Sequence, residues 1–154
     1  MDAVMMLWDF APAFKTKLLY LAIVGQIVIT IYCYSAMSKA RVAAVRGQRM
    51  QPENYKATTD EPEDLRVFTR AVANQFELPV LFYVLVLAAL MASTASWITV
   101  VLAWIYVILR FVHAKEMIGS NTVLRRRKIF IQSVRVFLLM VLEFVIALLF
   151  IVSV

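Results

Sequence analysis

Arg70, Asn74 and Glu77 place a cation, an amide and a carboxylate in one short stretch, RAVANQFELP, at the start of a long apolar run. Their spacing is i, i+4, i+7, which at about 100° per residue puts all three within roughly 60° of one another on a helix. Pro79 follows and removes a backbone donor, which frees a carbonyl near Gln75 and predicts a kink there. One face of this helix therefore has groups that could bind a charged ligand.

A second apolar run repeats this pattern, with Arg110, His113 and Met117 spaced i, i+3, i+7 on one face. An ionised group deep in lipid costs at least about 2.5–3.5 kcal/mol, so Glu77, Arg110 and Glu143 each need a partner. Two interpretations remain open. Either Glu77 or Glu143 forms an ion pair with Arg110 between helices, or the polar faces form a pocket that opens to the cytoplasm.

The elements that must position these residues are membrane-spanning helices. The chain has 154 residues, of which 63% are hydrophobic and 17% charged, whereas a soluble domain is nearer half apolar and about a quarter charged. A helix needs about 20 apolar residues to cross a bilayer. The composition predicts an all-α integral membrane protein, a four-transmembrane-helix bundle forming a single domain over residues 1–154. The expected spans are residues 14–37, 64–92, 97–117 and 129–154. Loops 38–63 and 118–128 follow the first and third spans, and a short turn joins the second span to the third.

Charged residues predict the orientation of the spans and the start of the second one. Basic residues cluster in the two loops, while only Lys15 and Lys17 flank the other side, so both loops are expected in the cytoplasm and both termini outside. Thr59 or Asp60 is expected to cap the second span, with acidic residues in its first turn.

The net charge of +6 fits membrane lipids rather than nucleic acid as partners. Cys33 is expected to pack in the first span, and no Cys/His set has the spacing of a metal site.

The order of these features resembles the MAPEG superfamily, the membrane-associated proteins of eicosanoid and glutathione metabolism. The first likeness is four spans in 154 residues with a long first cytoplasmic loop. RAVANQFELP matches the Arg-x-x-x-Asn-x-x-Glu pattern of the family's second helix. RFVHAKEMIGSNTVLRRR resembles the family's third-helix arginine, its aromatic or histidine position, and its later arginine. The likeness covers nearly the whole chain, which resembles a small, bacterial-like member.

The resemblance implies a homotrimer whose sites lie between adjacent subunits, near the cytoplasmic side, with glutathione as cosubstrate. Carried over to this sequence, Arg70, Asn74 and Glu77 contact the charged ends of the tripeptide. Glu77 suits the amino group and Arg70 the carboxylates. Arg110 and His113 line the same cavity.

Thiolate activation is the mechanism that the resemblance implies. Arg126 is the expected catalytic residue, because a guanidinium beside the thiol favours the thiolate, which then attacks a lipophilic electrophile or reduces a peroxide. Arg125 and Arg127 remain alternatives, since the run of arginines leaves the register open. Active mammalian members often carry a tyrosine one turn after the position of His113. Met117 stands there and cannot donate a hydrogen bond.

Two other functions remain open. The chain could be a MAPEG-like membrane binding or scaffold protein without turnover. A small four-helix transporter ranks third, because it would need an acidic residue in the first span, where this chain has only Gln26. The expected location is a bacterial inner membrane or the endoplasmic reticulum.

Overall fold

The chain is all-helical in the computed structural model, which describes the backbone of residues 2–56 and 61–151 and the side chains of residues 12–55 and 61–150. Within these residues the elements are a short 3₁₀ helix, Pro52–Lys56, and the α-helices α1 (Asp2–Arg46), α2 (Glu63–Ala73), α3 (Leu78–Met91), α4 (Trp97–Ile118) and α5 (Val123–Ile151).

Within the described part of the chain, four helical segments are long and apolar enough to cross a membrane: Pro12–Arg46, Glu63–Met91, Trp97–Ile118 and Val123–Phe150. Large apolar side chains such as Val28, Leu81 and Ile108 stay more than half exposed on their outer faces. Such faces suit lipid tails, which are as apolar as the side chains themselves. The expected fold class, an all-α integral membrane protein with four spanning segments, is confirmed.

Three helix boundaries differ from the expected spans. The first is the start of α1, at Asp2 instead of residue 14. α1 also continues to Arg46 instead of ending at residue 37, and α5 begins at Val123 instead of residue 129. The segments added at these last two boundaries are charged but rich in Ala, Leu, Lys and Arg, which are strong helix formers. The helices therefore continue through charged residues beyond the ends of the apolar runs. As a result, the arginine run lies in the first turns of α5 rather than in a loop.

The start of the second span carries the acidic first turn that the sequence predicts. α2 begins with Glu63 and Asp64, whose carboxylates are favoured by the helix dipole. Thr59 and Asp60, the expected caps, lie outside the described residues, as do residues 152–154 at the end of the fourth span.

α4 packs at the centre of the bundle, where it contacts α1, α2 and α5. Gly25 on α1 lets two helices approach closely, because a Cβ there would lie 3.2 Å from Cγ1 of Val107. Tyr106 of α4 stacks on Phe82 of α3, with ring centroids 4.6 Å apart. Cys33 is free and buried in the same core, as its position in an apolar span predicts.

Glu61, in the connection between α1 and α2, forms hydrogen bonds with both helices. Its carboxylate accepts a hydrogen bond from Nε of Arg41 at 3.0 Å and another from the hydroxyl of Thr69 at 2.6 Å. The guanidinium of Arg41 also lies 5.0 Å from the ring centroid of Tyr55 in the 3₁₀ helix. This cluster ties the polar connection to the helices on either side of it.

The turn between α4 and α5 contains Gly119 and Asn121. Gly119 is the C-cap of α4, and Asn121 has a φ of 48°, in the left-handed region that asparagine tolerates. The carboxylate of Glu116 accepts hydrogen bonds from the hydroxyl of Ser120 and, at 3.3 Å, from the backbone N–H of Thr122. The start of α5 is therefore held beside the end of α4.

Glu143 lies at the opposite end of α4 and has hydroxyl partners there. Ser96, the N-cap of α4, donates to its carboxylate at 2.6 Å, and Thr99 donates at 2.9 Å. A carboxylate near a helix N-terminus is also stabilised by the helix dipole. Among the described side chains no ion pair joins Glu143 to Arg110, so that alternative is wrong.

Candidate functional site

The polar stretch lies at a break between α2 and α3. Asn74 is the C-cap of α2 and Glu77 is the N-cap of α3. Pro79 stands in the first turn of α3, where its missing N–H is tolerated. The predicted kink is thus a full interruption, and the interpretation that Arg70, Asn74 and Glu77 share one continuous helix is wrong. They nevertheless face the same cleft.

Side chains donate to three backbone carbonyls at the break, and two of these, those of Ala71 and Asn74, lack their usual helical donors. The Nδ2 of Asn74 donates to the carbonyl of Arg70 at 2.9 Å. The Nε2 of Gln75 donates to the carbonyl of Ala71 at 3.1 Å. From α4, the Nη2 of Arg110 donates to the carbonyl of Asn74 at 2.7 Å. Since buried carbonyls need donors, these contacts favour one conformation of the break.

Gln75 is held in turn by Gln26, which lies in the middle of α1. The Nε2 of Gln26 donates to Oε1 of Gln75 at 3.0 Å, and the two residues are 0% and 2% exposed. The polar residue that the sequence places in the first span is therefore connected to the break in the second.

α4 contributes two residues to the wall of the cleft, His113 and Met117, and a third, Arg110, lies behind the wall. His113 lines the cleft, with its ring 5.7 Å from that of Phe130. Arg110 is 1% exposed and is not among the lining residues, which corrects the expectation that it lines the same cavity. Its guanidinium faces the backbone of Asn74 because that carbonyl lacks a helical donor. No ion pair joins Arg110 to Glu77 within the described side chains.

α5 contributes two of the three candidate arginines. Arg126 and Arg127 line the cleft. Nη1 of Arg126 donates to Oδ1 of Asn121 at 2.7 Å, which fixes the position of the guanidinium. Arg125 points elsewhere, with its Nε 3.4 Å from a carboxylate oxygen of Glu116. Of the three candidates for the catalytic arginine, Arg126 and Arg127 are therefore placed to contact a ligand in the cleft.

The break, α4 and the start of α5 together form a cleft of about 440 Å³, within the range of roughly 300–1,000 Å³ found for small-molecule sites. Three guanidinium groups and one carboxylate stand in its wall, together with an amide, an imidazole and apolar side chains. The lining residues are Arg70, Ala73, Asn74, Glu77, His113, Met117, Val123, Arg126, Arg127 and Phe130. Within the described residues, no group of three or more His, Cys, Asp or Glu side chains is placed to hold a metal ion.

The sequence did not predict the apolar wall of the cleft. Val123 and Phe130 lie at i and i+7 around Arg126 and Arg127, which is the spacing of one helical face. This spacing was not used as a helical signal because the fourth span was expected to begin at residue 129, after Val123. Met117, predicted to be a poor substitute for a tyrosine donor, lines the cleft and accepts a hydrogen bond through its sulfur from Nδ2 of Asn74 at 3.3 Å.

The fold and the cleft define a multi-pass, all-helical membrane protein with a charged ligand-sized site between its helices. The MAPEG family model matches residues 19–146, most of the chain. The protein therefore belongs to the MAPEG family, a family of membrane proteins in glutathione and eicosanoid metabolism, as its motifs predict. Searches of curated proteins and of solved structures find no match to the chain.

Proposed function

We propose that this protein binds glutathione in the cleft and activates its thiol for reaction with lipophilic substrates. The observation that carries the proposal is the charge pattern of the wall, where Arg70, Arg126 and Arg127 stand with the single carboxylate of Glu77. Glutathione in its thiolate form has the inverse pattern, two carboxylates and one thiolate with a single ammonium group. Each ligand charge can therefore meet an opposite charge, in hydrogen bonds that are stronger than neutral ones.

The position of each group supports a role in binding. Glu77 is exposed at the N-cap of α3 and can accept hydrogen bonds from the ammonium group. Arg70 is half exposed, with its Nη1 3.3 Å from Glu63, and can turn from that surface pair to a ligand carboxylate. Asn74 and His113 line the same cleft and provide further groups that can hydrogen-bond the ligand.

Arg126 is the residue we assign to the thiolate. A free thiol has a pKa near 8.5, so at neutral pH it is mostly protonated unless a cation favours the thiolate. Each tenfold gain in thiolate corresponds to about 1.4 kcal/mol. Because Asn121 already holds the guanidinium of Arg126, little reorganisation is needed when negative charge develops on sulfur.

Two reactions follow from a bound thiolate. In conjugation, the sulfur forms a bond to an electrophilic carbon, and the leaving group departs with the bonding electron pair. In peroxide reduction, the sulfur attacks a peroxide oxygen and the O–O bond breaks, so that a sulfenic acid forms and the alkoxide leaves and takes a proton from water. A second glutathione then reacts with the sulfenic acid to give the disulfide and water. Met117, Val123 and Phe130 give the cleft an apolar wall for the lipophilic substrate, which the bilayer can deliver laterally.

We further propose a homotrimer, with each cleft covered by an adjacent subunit and both polar connections in the cytoplasm. The cleft is bounded on one side by the basic start of α5, which would attract anionic glutathione from the cytosol. The membrane we propose is a bacterial inner membrane or that of the endoplasmic reticulum.

A second candidate function, binding without turnover, is favoured by one contact. Met117 occupies the position one turn after His113, and its sulfur accepts from the amide of Asn74 at 3.3 Å. Thioether sulfur is a weak acceptor and donates no hydrogen bond to a thiolate. A protein with this side chain could retain the ligand while lacking part of the thiol chemistry.

Glutathione binding to the purified protein tests the proposal. We expect binding at millimolar glutathione or below, and weaker binding by Arg70→Ala and Glu77→Ala. Arg66→Ala is the matched control, because Arg66 and Arg70 both pair with Glu63 at 3.3 Å but only Arg70 lines the cleft. Conjugation of a chloronitrobenzene then separates an enzyme from a binding protein. Absence of binding at millimolar glutathione removes the proposed function.

A further inference from the structure

Two fully buried glutamines, Gln26 of α1 and Gln75 of the break, form a hydrogen bond that stability alone does not explain. The Nε2 of Gln26 donates to Oε1 of Gln75 at 3.0 Å. The Oε1 of Gln26, however, is buried without a partner among the described side chains. A buried amide oxygen without a donor is unfavourable, and two apolar side chains of similar size would avoid that cost. Residues that lower stability in this way are expected at functional sites.

This hydrogen bond determines which way the amide of Gln75 faces. Because Gln26 occupies Oε1 of Gln75, the Nε2 of Gln75 faces the carbonyl of Ala71, to which it donates at 3.1 Å. That carbonyl has lost its usual donor, since the backbone N–H of Gln75 bonds to Val72 instead. The side chain of Gln75 therefore closes the end of α2, and Asn74 becomes the C-cap.

We propose that Gln26 is a positioning residue for the ligand site, which sets where α2 ends and thereby how Asn74 and Glu77 face the cleft. The inference rests on the proposed binding of glutathione. Among the described residues, α1 contributes no side chain to the cleft wall, so Gln26 acts on the ligand only through Gln75. α1 controls the shape of a site that it does not touch.

Methionine substitutions separate positioning from stability, because methionine has a similar length and offers no hydrogen bond of comparable strength. Gln26→Met and Gln75→Met each leave one buried amide without its partner, so both are expected to lower the thermal midpoint and to raise the glutathione Kd about tenfold. The double variant removes both amides. We expect its thermal midpoint to recover in part, because the carbonyl of Ala71 still lacks the donor that Gln75 supplied, while its Kd stays about tenfold raised. Recovery of both quantities would overturn the proposal and leave the pair a purely structural contact.

Gln132→Met is the matched control, since Gln132 is an exposed glutamine on α5, and it is expected to change neither the midpoint nor the Kd. Amide hydrogen exchange tests the inference without a ligand. In Gln26→Met, exchange over residues 74–80 is expected to accelerate while exchange in α4 stays unchanged. If the wild type binds no glutathione, the proposed function fails on its own, and unchanged exchange over residues 74–80 independently overturns the role of Gln26.

Discussion

Replacing Arg126 by methionine is expected to raise the pKa of the thiol of bound glutathione. Asn121 holds the guanidinium by a hydrogen bond of 2.7 Å, so the wild-type cation is fixed in the wall of the cleft. A hydrogen bond to a charged group contributes about 1.5–3 kcal/mol, and one pKa unit corresponds to about 1.4 kcal/mol. The loss therefore amounts to about one to two units. With a free thiol near 8.5, the bound thiol is expected near about 7 in the wild type and near about 8.5 in Arg126→Met.

The assay is a pH titration of the ultraviolet absorbance of thiolate, with each variant saturated with glutathione. Because the pKa rises in Arg126→Met, the thiolate present at pH 7 falls and is recovered only at higher pH. Arg125→Met is the control, since it removes the same charge from the neighbouring residue, which faces Glu116 and not the cleft. Equal shifts in both variants, or none in Arg126→Met, would refute the assignment of Arg126 to the thiolate.

Other substitutions test separate parts of the structure. Met117→Tyr supplies a hydroxyl donor, and we expect the conjugation rate at saturating glutathione to rise about tenfold; an unchanged rate would place this position away from the thiol. Glu143→Leu leaves two hydroxyl groups at the start of α4 without their acceptor, so unfolding is expected to become easier by about 1–3 kcal/mol with no change in glutathione Kd. Gly25→Val is expected to lower the thermal midpoint, because a Cβ there lies 3.2 Å from Val107. Val107→Ala in the same chain should recover part of that loss, and a lack of recovery would contradict the close approach of the two helices.

Composition and spacing were sufficient to predict the membrane helices and the residues of the cleft's charged wall. Apolar runs define the spans because a bilayer requires them. The ends of α1 and α5 were not predictable from hydropathy, since charged residues with high helix propensity continue a helix beyond the apolar run.

The break and its surroundings depend on contacts between residues far apart in the sequence. Pro79 predicts a disturbance, but the length of the interruption depends on donors from other helices, Gln26 by way of Gln75 and Arg110 directly. Local spacing also placed Arg110 in the cleft, whereas its burial against the carbonyl of Asn74 puts it behind the wall. The pairing of Arg125 with Glu116 turns that arginine away from the cleft, whereas Arg126 and Arg127 both line it.

The central claim is that the inverse charge pattern of the cleft recognises glutathione, and a cycle between Glu77 and the ligand's amino group tests it most directly. Glutathione and its desamino analogue are each titrated into the wild type and Glu77→Gln by calorimetry. We expect Glu77→Gln to weaken glutathione binding about tenfold, because a charge-assisted hydrogen bond is lost. The same substitution should leave binding of the desamino analogue unchanged or improved. Equal losses for both ligands, or none for either, would contradict the account.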